Sequence, residues 1–280
     1  MVVITRTRPN GEVFSFYVDG KLHEILLGFR KAMYKKNTSG VIIIDGKSGF
    51  GKTTLGNQVS ITLDENYGLK KIFYNPDSFL AGLAEAKQGD TLMFDEAMLI
   101  SNRSTMSAIN KMVIQAMSMI RSKRICIIFC VNSIFDLDKN LVLSRANLLL
   151  HVYGDSLFDR GKYAVFFKPR GQQDKIKQLY LLGKKFYDYS RPKANFISKF
   201  SSEFVVDEEE YEKQKQIGVN AFLNVKVGSQ TTKFFEGRNN AIRELHKEGQ
   251  SVERIATLFS LDKKTIYKIL SIKKELNELA

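Results

Sequence analysis

The densest chemical signal in the chain is GKSGFGKTT, Gly46 to Thr54. It fits G-x-x-x-x-G-K-[ST] at Gly46, Gly51, Lys52 and Thr53. Glycines at that spacing let a loop curl until its N–H groups face phosphate oxygens. An apolar run, VIIID, precedes the loop, and a helix-compatible run, TTLGNQVSITLDENYG, follows it. The residues Ser48, Gly49, Phe50 and Thr54 would then line a phosphate cradle, with the positive end of the helix behind it. Lys52 would reach the β- and γ-phosphates, and the Thr53 hydroxyl would bind Mg²⁺.

Such a cradle needs a second metal anchor and a group that activates water. TLMFDEA offers both. An apolar strand ending in Asp95 places that carboxylate at the carboxyl edge of a sheet, where open α/β folds bind ligands. Asp95 would hold Mg²⁺ through its water shell, and Glu96 would polarise the attacking water. Taken without the loop, the two acids would equally well begin a turn or cap the next helix. A third strand, IIFCVN, ends at Asn132, an amide able to contact the γ-phosphate or to serve as an ordinary turn residue.

These groups need a frame. VVITRTRPNGEVFSFYV reads as a hairpin and KLHEILLGFRKAMYKK as a helix. Strands are expected at VIIID, KIFYN, TLMFDEA, ICIIFCVN and NLLLHVY. Helices are expected at PDSFLAGLAEAKQG, from about Ser104 to Arg121, and at DLDKNLVLSRA. Alternation of this kind implies an α/β core with a parallel sheet. KYAVFFK and KIKQLYLL, on either side of PRGQQD, are expected as antiparallel edge strands. The expected divisions are an N-terminal hairpin and helix (1–37), a core (38–200), a connector (201–236) and a small all-α domain (237–280).

Among 280 residues, 44% are hydrophobic and 26% charged, which excludes a disordered chain. The formal net charge of +13 points to a polyanionic partner, nucleic acid first. No apolar run reaches the roughly 18 residues that span a bilayer, and MVVITRTRPNG lacks signal-peptide order. Cys126 and Cys130 lie on one face of a buried strand and are expected as core filler. A cytoplasmic protein is the simplest expectation.

The C-terminal region carries three helical segments. In the first, 238–248, Ile242 and Leu245 share a face and Gly249 ends the helix. Ser251 is placed to cap the second, which buries Val252, Ile255 and Ala256. Leu261 turns inward and Asp262 caps the third, which buries Ile266, Ile269 and Leu270. Its other side carries Lys263, Lys264, Thr265, Tyr267 and Lys268, the donors and cations that a major-groove helix needs. A helical bundle for subunit contacts would show the same apolar pattern. The clusters RKAMYKK and KKFYDYSRPK could line a nucleic-acid channel or form a wet face.

Two resemblances follow from these residues. The motif at Gly46–Thr53, FDE at Phe94–Glu96 and the polar strand end at Asn132 resemble the RecA-like and AAA+ division of P-loop ATPases. The late pair at 162–182 is similar to the layout of FtsK/HerA-type DNA pumps and Zot-like proteins. The resemblance implies an extra strand between the loop strand and the Asp95 strand, and ATP with Mg²⁺ as cofactors. It also implies a homo-oligomeric ring, a hexamer being one form, completed by an arginine from the neighbouring subunit. Candidates are Arg145, then Arg121 and Arg124, then Arg103. The C-terminal segment is similar to resolvase- and transposase-type helix-turn-helix domains, which implies DNA as partner and Ser251, Lys263, Lys264, Thr265, Tyr267 and Lys268 as contacts. The leading expectation is an ATPase acting on DNA. An ATP-switched DNA-binding regulator and a small-molecule kinase are the alternatives.

Overall fold

The computed structural model describes residues 1–8, 11–95, 123–154, 160–228, 239, 241–259, 261–267 and 269–270. The chain divides into two compact units, Met1–Val219 and Asn220–Ala280.

The first unit opens with a hairpin, β1 (Val2–Thr7) and β2 (Val13–Val18), paired antiparallel with Val2 opposite Val18. Alternation turns Phe14, Phe16 and Val18 inward. Helix α1 (Gly20–Lys36) starts at Asp19, whose carboxylate accepts the N–H groups of Lys21 (2.8 Å) and Leu22 (3.2 Å). Capping of this kind satisfies donors that the helix itself leaves unpaired. Hairpin and helix bury Ile4, Phe16, Leu22, Leu26 and Met33 in the same apolar cluster as the central sheet.

The remaining elements of this unit are β3 (Gly40–Gly46), α2 (Lys52–Leu63), β4 (Ile72–Phe73), α3 (Pro76–Glu85), β5 (Thr91–Asp95), β6 (Cys126–Val131), α4 (Lys139–Ser144), β7 (Ala146–Tyr153), β8 (Lys162–Phe167), α5 (Lys175–Gly183), β9 (Phe196–Lys199) and the beginning of α6 (Glu208–Gly228). The sheet order is β4-β5-β6-β3-β7-β8-β9. The first five strands in that order run parallel, and β8 and β9 are added antiparallel. Strand β6 lies between β3 and β5, the extra strand that the resemblance implied.

The sheet is buried on both faces, as an apolar parallel sheet must be. Ile42, Ile44, Cys126, Ile128 and Cys130 face one layer with the hairpin, α1 and α2. Val41, Ile43, Ile127, Phe129 and Val131 face the other, with α3, α4 and α5. Both cysteines are free and buried in the first layer, the core role expected of them. Helix α2 lies close on the sheet: a Cβ on Gly56 would stand 2.8 Å from Met93 Sδ and 2.9 Å from Cys130 Sγ.

One expected strand is a helix. KIKQLYLL forms most of α5, with Ile176, Leu179, Tyr180 and Gly183 buried at helical spacing. Asp174 caps it, accepting the N–H groups of Ile176 (3.1 Å) and Lys177 (3.3 Å). The cap and the 3.6-residue period outweigh the strand propensity of its apolar residues. The antiparallel partner of β8 is instead β9, Val165 pairing with Phe196.

The stretch 201–236, expected as a connector, contains α6, and its beginning lies on the core. Val205, Val206 and Tyr211 are buried there. Gln58 of α2 donates to the carbonyls of Ser201 (2.9 Å) and Glu203 (2.8 Å), which fixes the path of this stretch. The helix expected from Ser104 to Arg121 lies outside the described residues.

In the second unit, residues 241–247 and 263–267 are helical, as is Val252–Phe259. Ile242, Val252, Ile255, Ala256, Ile266 and Ile269 form its buried core, with Leu245, Leu261 and Leu270 partly buried beside them. Gly249, at φ 86°, turns the chain after the first helix. Ser251 accepts the N–H of Arg254 (3.3 Å), and Asp262 accepts that of Thr265 (2.9 Å). Among the described residues, no helix is long and apolar enough to cross a membrane.

Candidate functional site

The loop between β3 and α2 sits at the carboxyl edge of the central strands. Gly46 has φ 141°, and a Cβ there would meet the Val152 carbonyl oxygen at 2.1 Å. Gly51 has φ 94° and the Phe200 ring beside it. Both motif glycines are thus required by backbone conformation and by space. The loop runs straight into α2, where Gly51 caps without a side chain and the first N–H groups have no intrahelical acceptor. Phe50 is buried and anchors the loop, while Lys52, Thr53 and Thr54 begin α2 half-buried. A helix start with a row of orphan donors is a phosphate-binding geometry.

The Lys52 ammonium donates to the carbonyls of Gly46 (2.8 Å) and Lys47 (3.1 Å) and to Asn132 Oδ1 (3.1 Å). Asn132 therefore meets the loop from the end of β6, and its own carbonyl accepts the Gly46 N–H (3.2 Å). On the other side Thr53 Oγ1 donates to Asp95 Oδ2 (3.2 Å). Asp95 is buried at the end of β5. One hydroxyl and one carboxylate are hard-oxygen donors that suit Mg²⁺. Among the described residues no group of three or more His, Cys, Asp or Glu side chains converges.

Two features of this region escape a motif search. Asp45, the residue before Gly46, is fully buried. Its Oδ1 pairs with His151 Nδ1 (2.9 Å), and its Oδ2 accepts the Ile134 N–H (2.8 Å) and the Tyr189 hydroxyl. Tyr189 stacks on His151 at 3.7 Å between ring centroids. Burial, then the Asp45 charge, push the Tyr189 hydroxyl well above the usual phenol range, so it remains a donor. The carboxylate closing VIIID was the available signal. The second feature is Tyr211, whose hydroxyl donates to Asp95 Oδ2. Its setting in DEEEYEKQ hid it among charges.

The other expected residues are placed as follows. Glu96, Arg103, Arg121 and Lys268 lie outside the described residues. Arg145 immediately precedes β7, whose first residue, Ala146, pairs with Val41, whereas the loop leaves β3 at Gly46. Five strand residues separate the two levels, about 17 Å, so Arg145 does not meet the loop of its own chain. Arg124 donates to Asn37 Oδ1 (2.9 Å) and lies over the Tyr34 ring. In the second unit Ser251, Lys263, Lys264 and Tyr267 are exposed and Thr265 half-buried. Lys263 pairs with Glu253 (2.9 Å) and the Thr265 hydroxyl donates to Asp262 (2.6 Å).

No family model and no curated protein matches the chain. Among solved structures, it is similar to the N-terminal domain of zonular occludens toxin from Neisseria meningitidis: 16% identity, 62% of this chain, 98% of that one, TM-score 0.32. It is also similar to two variants of RuvB from Thermotoga maritima. The first shows 13% identity over 94% of this chain and 88% of that one, with TM-score 0.36. The second shows 12% identity over 90% and 85%, with TM-score 0.33. The chain's own residues form a P-loop-type cradle at the carboxyl edge of a mainly parallel sheet.

Proposed function

We propose that the chain is a Mg²⁺-dependent ATPase that acts on DNA. The observation that carries this reading is the convergence of Lys52, Asn132, Thr53 and Asp95 around the loop. The amides of the loop and of the first turn of α2 would bind the phosphate chain, and Lys52 would exchange its carbonyl partners for β- and γ-phosphate oxygens. Thr53 and Asp95 would hold Mg²⁺, which would supply charge neutralisation for the phosphates. Asn132, beside the Lys52 ammonium, is set to report on the γ-phosphate. Glu96 follows Asp95 in sequence and is assigned to orient the attacking water. Water attacks the γ-phosphorus, the bond to the β,γ-bridging oxygen breaks, and ADP, phosphate and a proton leave.

The helices of the second unit support a helix-turn-helix reading, with Lys264 and Tyr267 exposed on the third helix. Together with the net charge of +13, they favour a duplex DNA partner. A homo-oligomeric ring, with Arg145 or another arginine acting on a neighbouring subunit, belongs to the same reading.

The test is phosphate release from ATP by the full chain, with and without duplex DNA, in Mg²⁺ and in EDTA. Turnover that requires Mg²⁺ and rises with DNA is expected. Mg²⁺-dependent nucleotide binding with no stimulation by DNA would replace the motor with a switch of slow turnover.

A further inference from the structure

Thr53 shares its acceptor with a residue far along the chain. Tyr211, in the first turn of α6, donates its hydroxyl to the same oxygen, Asp95 Oδ2. The ring is 2% exposed. It is gripped edge-on by Tyr74 (5.7 Å between centroids, 62°) and by Phe204 (5.1 Å, 66°). The phenol O–H is the donor of this bond and the carboxylate its acceptor.

Docking of this stretch does not account for the hydroxyl. The hydrogen bonds from Gln58 already hold residues 201–203 on α2, and Val205 and Val206 are buried in the core. A phenylalanine at 211 would fill the same space between Tyr74 and Phe204. The added oxygen makes its hydrogen bond to the carboxylate that faces the loop. Partners of this kind fix the orientation of a metal-binding group and tune its basicity.

We propose that Tyr211 is a positioning residue for the metal: through Oδ2 it fixes the Asp95 carboxylate in the orientation that Mg²⁺ binding by Thr53 and Asp95 requires. The inference rests on the reading of the loop as a nucleotide site. It makes the stretch after β9 part of that site rather than a plain linker.

The experiment compares the full wild-type chain with Tyr211→Phe and Tyr211→Leu. Each is titrated with a methylanthraniloyl-labelled, non-hydrolysable ATP analogue, once in EDTA and once across a Mg²⁺ series. Thermal unfolding is measured in parallel. The expected result is an unchanged affinity in EDTA and a Mg²⁺ midpoint raised about tenfold in Tyr211→Phe. Tyr211→Leu should show the same midpoint shift with a larger loss of thermal stability, which separates the hydroxyl from the ring. Wild type and Tyr211→Phe sharing one Mg²⁺ midpoint overturns the assignment of Tyr211 and leaves the nucleotide site standing. A midpoint that falls in Tyr211→Phe also overturns it, because the hydroxyl would then oppose the metal. A wild-type chain that binds no labelled nucleotide overturns both readings.

Discussion

Asp45 Oδ1 stands 2.9 Å from His151 Nδ1, with the carboxylate fully buried one residue before the glycine loop. This pair joins β3 to β7 at the level where the loop departs. Its other oxygen takes up Ile134 N–H and Tyr189, tying in the turn after β6 and the segment after α5. Replacing Asp45 by alanine leaves the buried Ile134 N–H without its acceptor and takes the carboxylate partner from His151 and Tyr189. The expected cost is about 2–3 kcal/mol of stability, read from urea unfolding, with weaker nucleotide binding. A change under about 0.5 kcal/mol, the size of an ordinary surface substitution, would show that the cluster does not hold the loop.

Gly46→Ala places a methyl 2.1 Å from the Val152 carbonyl oxygen, at a φ of 141°. The backbone cannot yield without moving β7. Loss of nucleotide binding and a lowered unfolding temperature are expected. Gly49→Ala is the control: at φ 81° its Cβ meets nothing within 4 Å. It carries only the left-handed penalty of about 1–2 kcal/mol. Equal effects of the two substitutions, compared by thermal unfolding and nucleotide titration, would contradict the role of the Gly46–Val152 contact.

Much of this arrangement is legible in the residues. The alternation of apolar strands and capped helices gives the parallel core, the motif gives Lys52 and Thr53, and the carboxylate closing TLMFD gives Asp95. In the second unit Ser251, Gly249 and Asp262 mark the turns, because caps are local chemistry. What the sequence hides is non-local. KIKQLYLL has residues that suit a strand, and only its Asp174 cap and helical spacing give α5 away. The charge of DEEEYEKQ reads as solvated linker, yet Gln58 draws residues 201–203 onto α2 and the Tyr211 hydroxyl bonds Asp95. The tie from Asp45 to His151 crosses from β3 to β7, and no spacing rule anticipates it.

Acid should loosen the third helix of the second unit. The Thr265 hydroxyl, then its N–H, hold the Asp262 carboxyl below the usual carboxylate range. A depressed acid stabilises the fold above its unfolded value, and the contribution disappears as pH falls through the lower folded value. The window therefore opens below about pH 4. Amide protection at 263–267, compared between wild type and Asp262→Ala at matched pH, should differ at neutral pH and converge in acid. A constant difference down to pH 2 would remove Asp262 from this role.

Lys264 and Tyr267 are expected to carry DNA affinity, since both are exposed on the third helix. Lys264→Ala should weaken duplex binding and reduce the slope of log affinity against log salt by about one. Lys263→Ala should do less, because Lys263 is already engaged by Glu253 at 2.9 Å. Fluorescence anisotropy at several salt concentrations checks both. Identical slopes for wild type and Lys264→Ala would exclude a phosphate contact at Lys264.

The most direct measurement is equilibrium binding and hydrolysis of Mg²⁺–ATP by wild type and Lys52→Ala, with folding verified by circular dichroism. The substitution removes the ammonium that bridges Gly46, Lys47 and Asn132. The account predicts a folded protein whose turnover falls by at least about 10³-fold, the scale on which cationic groups act at a phosphoryl transition state. A Lys52→Ala chain that binds and cleaves ATP as the wild type does would contradict the central claim.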